Sequence, residues 1–199
     1  MSDLSGQLSP AGTALAEAGI EFSPSMSSAP ADHPTRVGDR GIVTSVNISR
    51  RKGTRKIPVD SGEIYLDFDY GVAGDAHAGD WHRQVSFLAE ESIAVARNAG
   101  LDVQEGDFAE NITTEGLDLK GMPVGTKVRV GEALVEISQI GKICHRKCAI
   151  YYLAGDCIFP REGIFGWVME PGIVRNGDSM EVVEVGRGDV HRAIADKPL

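Results

Sequence analysis

The 199-residue chain has no apolar run approaching the roughly 20 residues a membrane helix requires, so the sequence predicts no membrane span. Its first ten residues lack the basic and apolar regions of a secretory signal. Basic side chains are in deficit, 20 against 29 acidic, for a net charge of -9. General nucleic-acid binding, which needs a basic surface, is therefore not expected. Cysteine is scarce, with three residues confined between positions 144 and 157. A disulfide framework would be paired and spread out, so the thiols are read as reduced and the protein as cytoplasmic. Neither a phosphate-binding glycine loop nor a nucleophile elbow is present, and there is no internal repeat of fixed period.

What the chain does have is glycine: 24 residues, about 12% against a usual ~7%. That excess favours short strands and turns over a helix bundle. Residues 1–36 are almost without Lys or Arg and rich in Ser, Ala and Pro, and are expected to form a flexible leader. Residues 37–186 are expected to form the folded domain, followed by a peripheral tail over residues 187–199. Alternation predicts strands at residues 41–48, 57–66, 83–88, 127–130, 134–137, 163–169 and 180–185. The basic run Arg50-Arg51-Lys52-Gly53-Thr54-Arg55-Lys56 is expected at a hairpin tip. Residues 89–99 read as the one clear helix of the body, with Glu90 and Glu91 in its first turn and Gly100 stopping it. The fold class is thus mainly β (α+β), a barrel or sandwich with one or two peripheral helices.

Three groups of residues carry chemistry. Cys144, Cys148 and Cys157, spaced C-x3-C-x8-C with His145 beside the first, form a legitimate zinc ligand set by residue type but not by the usual C-x2-C spacing. They read equally as small buried side chains. Cys144 stands apart because Lys142, His145, Arg146 and Lys147 flank it. Positive neighbours stabilise a thiolate, the form that attacks, carries sulfur or ligates a soft metal. The segment Gly74-Asp75-Ala76-His77-Ala78-Gly79-Asp80-Trp81-His82-Arg83 offers either a divalent-metal cluster or side chains that satisfy backbone groups at a loop crossing. Glu110-Asn111, within residues 106–114, can cap turns or exchange hydrogen bonds with a polar heterocycle.

Taken in order, Gly74-Asp75-Ala76-His77, Arg83-Gln84-Val85, the run 106–114 with Glu110-Asn111, Gly125, Gly131 and residues 139–144 resemble the MOSC domain, typified by the C-terminal domain of molybdenum cofactor sulfurases. The resemblance spans about residues 40–185, and residues 155–165 are similar to the stand-alone bacterial type. It implies a closed β-barrel and one working cysteine after a central strand, at the position of Cys144. That cysteine would carry sulfur as a persulfide or ligate the molybdenum of the molybdenum cofactor (molybdopterin). The cofactor-binding residues implied are His77, Arg83, Gln84, Glu110, Asn111, Thr113 and Lys142, with Cys144 both the catalytic residue and the metal ligand. The basic run at residues 50–56 would either meet the cofactor's phosphate or be solvated. The chain departs from many members in having Ile143 where proline precedes the cysteine, and in carrying Cys148 and Cys157 as well.

The resemblance admits three activities: sulfur transfer to the cofactor, molybdenum-dependent reduction of N-hydroxylated compounds, and non-catalytic cofactor carriage. The 199 residues leave no room for a pyridoxal-phosphate-dependent desulfurase domain, so the sulfur donor is expected to be a separate cysteine desulfurase. A reductase would instead need an electron-transfer protein, because no four-cysteine cluster motif occurs.

Overall fold

The computed structural model describes residues 34–143, 151–152 and 157–191. The leader over residues 1–33, Cys144, Cys148 and the end of the tail from residue 192 lie outside the described residues.

Eleven strands and two helices are described. In chain order they are β1 Arg40–Ile48, β2 Ile57–Pro58, β3 Glu63–Asp67, β4 Gly71–Val72, β5 Val85–Ala89, α1 Glu90–Asn98, β6 Ile112–Glu115, β7 Lys127–Val130, β8 Ala133–Ile140, α2 Phe159–Glu162, β9 Ile164–Glu170, β10 Gly172–Arg175 and β11 Ser179–Glu184. Seven of the strands close a barrel in the order β11-β7-β8-β9-β5-β6-β1, with β1 pairing back onto β11. The closing ladder pairs Arg40 with Glu181, Gly41 with Met180 and Ile42 with Ser179. All neighbours are antiparallel except β5 and β6. That parallel pair needs a crossover, and α1 with the loop behind it provides one. The smaller sheet β10-β3-β4 lies against the barrel, its Ile64, Leu66, Val72 and Val174 sharing the barrel's core.

The barrel core is the inward row of alternating strand residues, among them Val46, Phe87, Ile112, Val128, Val135, Ile137, Ile164 and Val182. A second apolar layer forms outside it, where α1 (Ile93, Ala96) and α2 (Phe159) cover Leu88 and Phe165 together with Val103, Phe108 and Ile158. Acidic Glu90 and Glu91 begin α1 and Arg97 ends it, as the helix dipole favours. The mainly β class and the closed barrel with peripheral helices are as the sequence predicts.

Three local expectations need correction. The stretch 57–66 is not one strand: a turn at residues 59–62, where Gly62 adopts φ +67°, sends β2 and β3 into different sheets. Residues 83 and 84 precede their strand, which begins at Val85. The hairpin between β1 and β2 is present, with Asn47 opposite Pro58 and Ile48 opposite Ile57. However, Lys56 is not part of its solvated tip but is 2% exposed.

Candidate functional site

The site starts at the root of the β1–β2 hairpin. Ser49, just past β1, donates its backbone N–H to Asp75 Oδ2 at 2.9 Å, and Ala76 N–H returns a bond to the Ser49 carbonyl at 2.7 Å. The hairpin and the glycine-rich loop are thereby sewn together. Lys56 Nζ reaches Asp75 Oδ2 at 2.5 Å and approaches His77 Nδ1 at 3.4 Å. The Lys56 and Asp75 side chains are each 1% exposed, so this is a fully buried ion pair. His77 also donates its backbone N–H to Asp75 Oδ1 at 2.9 Å. Asp75 therefore orders the loop crossing with both oxygens.

Burial would raise the Asp75 carboxyl. The His77 side chain, the charge and hydrogen bond of Lys56 and the Ser49 N–H outweigh it and hold Asp75 well below the ordinary carboxylate range. Burial lowers the Lys56 ammonium against the opposing pull of Asp75, with further contributions from Glu110 and Lys142. Those contributions place Glu110 and Lys142 within electrostatic reach of Lys56.

Glu110 precedes β6 and is completely buried. Its Oε1 accepts the Gly106 N–H and the Thr113 hydroxyl, and Oε2 has no partner among the described residues. Burial pushes its carboxyl up to about 7, against the hydrogen bonds from Gly106 and Thr113. Gly106 is required here: its φ is +87°, and a Cβ would stand 2.5 Å from the Lys56 carbonyl oxygen and 3.2 Å from Asn47 Cγ. Its close approach seats Lys56, Asn47 and Glu110 around one backbone position. The Asn47 Nδ2 group is likewise buried without a partner, so the same place holds an unused donor and an unused acceptor.

Asn111, in contrast, is fully employed. Its side chain accepts from Ser86 N–H and Ser86 Oγ and donates to the Asn47 carbonyl at 3.2 Å, tying β5 to β1. Gln84 is also structural in its contacts, accepting from Val168 N–H at 3.0 Å and donating to Asp69 and the Gly79 carbonyl.

The loop then runs toward the end of β8. Trp81 donates its indole N–H to the His77 carbonyl at 2.7 Å and lies nearly parallel to the His77 ring. The Arg83 guanidinium sits 4.7 Å over Trp81 and 5.6 Å from the centre of the Phe165 ring. His82 Nε2 meets Gln139 Oε1 at 2.8 Å, and Gln139 Nε2 donates to the Gly141 carbonyl at 2.6 Å. This bond fixes the chain as it leaves β8. Lys142 N–H then bonds the Pro160 carbonyl at 3.0 Å, and its ammonium lies 5.2 Å over Phe159. Two residues later comes Cys144, outside the described residues. Cys157 is half-buried against the α1–α2 apolar layer.

Of the residues singled out from sequence, His77, Glu110, Thr113 and Lys142 thus lie around or within electrostatic reach of the Lys56–Asp75 pair. Arg83 lies along the loop, and Gln84 and Asn111 serve the scaffold. Sequence reasoning did not single out Lys56 as a separate residue, nor Asn47 or the buried Glu136 that binds His191 of the tail. Lys56 carried no signal beyond its place at the end of a basic run. Among the described residues no cluster of three His, Cys, Asp or Glu side chains is placed to hold a bare metal ion, and no described helix is long and apolar enough to cross a membrane.

Comparison with known proteins agrees with this architecture. The solved structure of YiiM from Escherichia coli is 28% identical, covering 76% of this chain and 72% of that one at a TM-score of 0.55. YiiM from Geobacillus stearothermophilus, 20% identical, covers 72% and 75% at 0.57. YuaD from Bacillus subtilis, also 20% identical, covers 74% of this chain and 97% of its own at 0.58, so the shared fold is nearly all of that protein. At 20% identity these last two speak to the fold alone. No curated protein matches the chain. The sequence pattern of the MOSC domain matches residues 74–181, beginning at the glycine-rich loop and ending inside the strand that closes the barrel. That match takes in more than half of the chain, which belongs to the MOSC domain family, a family linked to molybdenum cofactor binding.

Proposed function

We propose that this protein binds molybdenum cofactor and handles sulfur at the end of β8, with Cys144 as its thiolate. The observation that carries the reading is the buried polar set around Gly106, whose glycine-rich loop runs on through His82 to Gln139 and so to the fixed exit of β8, where Lys142 stands two residues ahead of that cysteine. Beneath that end of the barrel Asn47 and Glu110 keep a buried donor and acceptor without partners among the described residues, polar groups set into the floor of the site rather than on its surface. When bound, the cofactor would supply redox and sulfur-accepting chemistry at molybdenum. The chain's part is to hold and orient it: the partly exposed His77 and Lys142 would contact it, and the buried Lys56–Asp75 pair, Asn47 and Glu110 would hold the loops that carry them in place.

In sulfur handling, the outer sulfur of a donor persulfide passes to the Cys144 thiolate. The donor's S–S bond breaks as a new one forms on Cys144, the donor leaves as a thiol, and no net electrons are exchanged. Lys142, Arg146 and Lys147 favour the thiolate that makes the attack. The test is cyanide-labile sulfur and molybdenum measured together on the purified protein, before and after incubation with a cysteine desulfurase and cysteine. Near-stoichiometric labile sulfur that Cys144→Ser abolishes and Cys157→Ser keeps is expected. Full sulfur loading of Cys144→Ser would overturn the role of that residue, and a zinc ion lost on replacing each cysteine would make the site structural.

A further inference from the structure

After β11 the chain turns back across the outside of the barrel, beyond the residues 74–181 that the family pattern accounts for. Residues 186–191 form a strap. Gly186 donates its N–H to Thr126 Oγ1 at 3.0 Å, and Gly188 donates to the Val124 carbonyl at 3.0 Å. The backbones approach so closely that a Cβ at Gly125 would collide with the Asp189 carbonyl oxygen, and one at Gly186 with that of Val124. The strap ends on Glu136. Val135 and Ile137 of β8 face the core, so Glu136 points outward, yet it is only 3% exposed. His191 covers it: the backbone N–H bonds Oε1 at 3.1 Å, and ring Nδ1 meets Oε2. Among the described residues no other group hydrogen-bonds this carboxyl.

The His191 ring lies edge-on to Trp167 at 4.9 Å, and Trp167 edge-on to His82 at 6.3 Å, both within the range of aromatic pairs. The Ser138 hydroxyl holds the His82 carbonyl, and His82 Nε2 meets Gln139, which ties down Gly141. We propose that residues 186–191 are a latch and His191 a positioning residue: docked on Glu136, it packs Trp167 and His82 against Gln139, and its protonation sets how firmly the exit of β8 is held. The latch stands on these contacts alone, while its bearing on the site rests on the function proposed above, which uses a thiolate just past that exit. The sign follows from charge. A protonated His191 sets a full positive charge against the buried carboxylate, whereas a neutral ring offers one N–H and leaves that charge uncompensated. Rising pH through neutrality therefore loosens the latch. The other charged or titratable groups around the pair are Lys127, opposite Glu136 on β7 and bonded to Glu184, His82 beyond Trp167, and Arg187 and Asp189 of the strap itself. Lysine, arginine and carboxylate side chains ordinarily keep their charge near neutrality, which leaves the two imidazoles to be told apart.

Amide hydrogen exchange on the full chain tests this. Protection is read at Gly188, Gly141 and Lys142, whose N–H groups bond Val124, Gly163 and Pro160, with Val43 of the closing ladder as reference. In the parent, protection at the three amides should fall about fivefold relative to Val43 between about pH 6 and pH 8. His191→Ala should lower all three about tenfold at the acidic end and leave Val43 within about twofold. His191→Asn keeps a donor for Glu136 but cannot titrate, so it should restore most of the protection and abolish the pH response. Loss at Gly188 alone would show that the strap does not reach the β8 exit, and an equal loss at Val43 that it holds the whole barrel. A pH response surviving in His191→Asn would make His82 the sensor. Each of these, or no change at all, would overturn the proposal. The amides are read without cofactor or sulfur donor, so a failure of sulfur loading counts against the proposed function and a failure here against the latch.

Discussion

Glu110 is the residue at which burial and chemistry meet most sharply. An unfolded chain gives up this proton near 4.5, and burial moves the folded value to about 7. Between those values the folded state holds more protons than the unfolded one, so this group's contribution falls as pH rises through the window and is full only below 4.5. Glu110→Gln keeps the acceptor for Gly106 and Thr113 but cannot ionise. Its stability should therefore lose less between pH 4.5 and pH 7 than the parent's, by up to about 3 kcal/mol. Denaturant titrations of both proteins across that range check this, and parallel curves would show that Glu110 ionises normally. The candidate role of Glu110 was legible in sequence because a glutamate-asparagine pair stands out after a glycine turn. Lys56 was not, since its partner lies 19 residues away and nothing local distinguishes it from the four exposed cations before it.

At the scale of elements, the decisive join is between the β1–β2 hairpin and the loop before β5. Asp75 is its rivet: it takes the Ser49 and His77 N–H groups and balances the Lys56 charge. Asp75→Asn keeps the shape but leaves an ammonium buried without a counter-charge, which typically costs about 3–5 kcal/mol. Pairing it with Lys56→Met removes that buried charge, so the double variant should be more stable than Asp75→Asn alone. Chemical denaturation of the three variants measures this, and additive losses would mean the two side chains act independently. Strong alternation exposed β1, β7, β8 and β11 in the sequence. The break after β2 was signalled by Asp60-Ser61-Gly62, turn residues that the surrounding β-branched pattern masked. β6 was missed because it is short and covered on both faces: Ile112, Thr113 and Thr114 are all buried, so no apolar–polar alternation marks it. β10 was missed because it joins β3, more than a hundred residues earlier in the chain.

For the whole molecule, closure is the governing fact. β1 is the first barrel strand and β11 the last, and their ladder extends beyond the three paired residues: Gly38 N–H bonds the Val182 carbonyl at 2.8 Å, and Val43 N–H bonds the Asp178 carbonyl at 2.8 Å. Ring order therefore makes the two ends of the folded body one structural unit, and no strand of the barrel is left with a free edge. β11 also carries Met180 and Val182, both fully buried in the core shared with Val43 and Val128. A chain ending at Arg175 would lose both the hydrogen-bonding partner of two strands, β1 and β7, and a wall of that core. Such an opening leaves two unpaired edges and an exposed apolar face, which a single-cored domain cannot absorb by local rearrangement. The truncated chain should therefore show no cooperative thermal transition, should bind a hydrophobic dye and should aggregate. The parent should give one transition with a β-dominated far-ultraviolet spectrum. A truncated chain that still melted cooperatively would show that the remaining six barrel strands hold the core unaided, and that closure by β11 serves something other than stability.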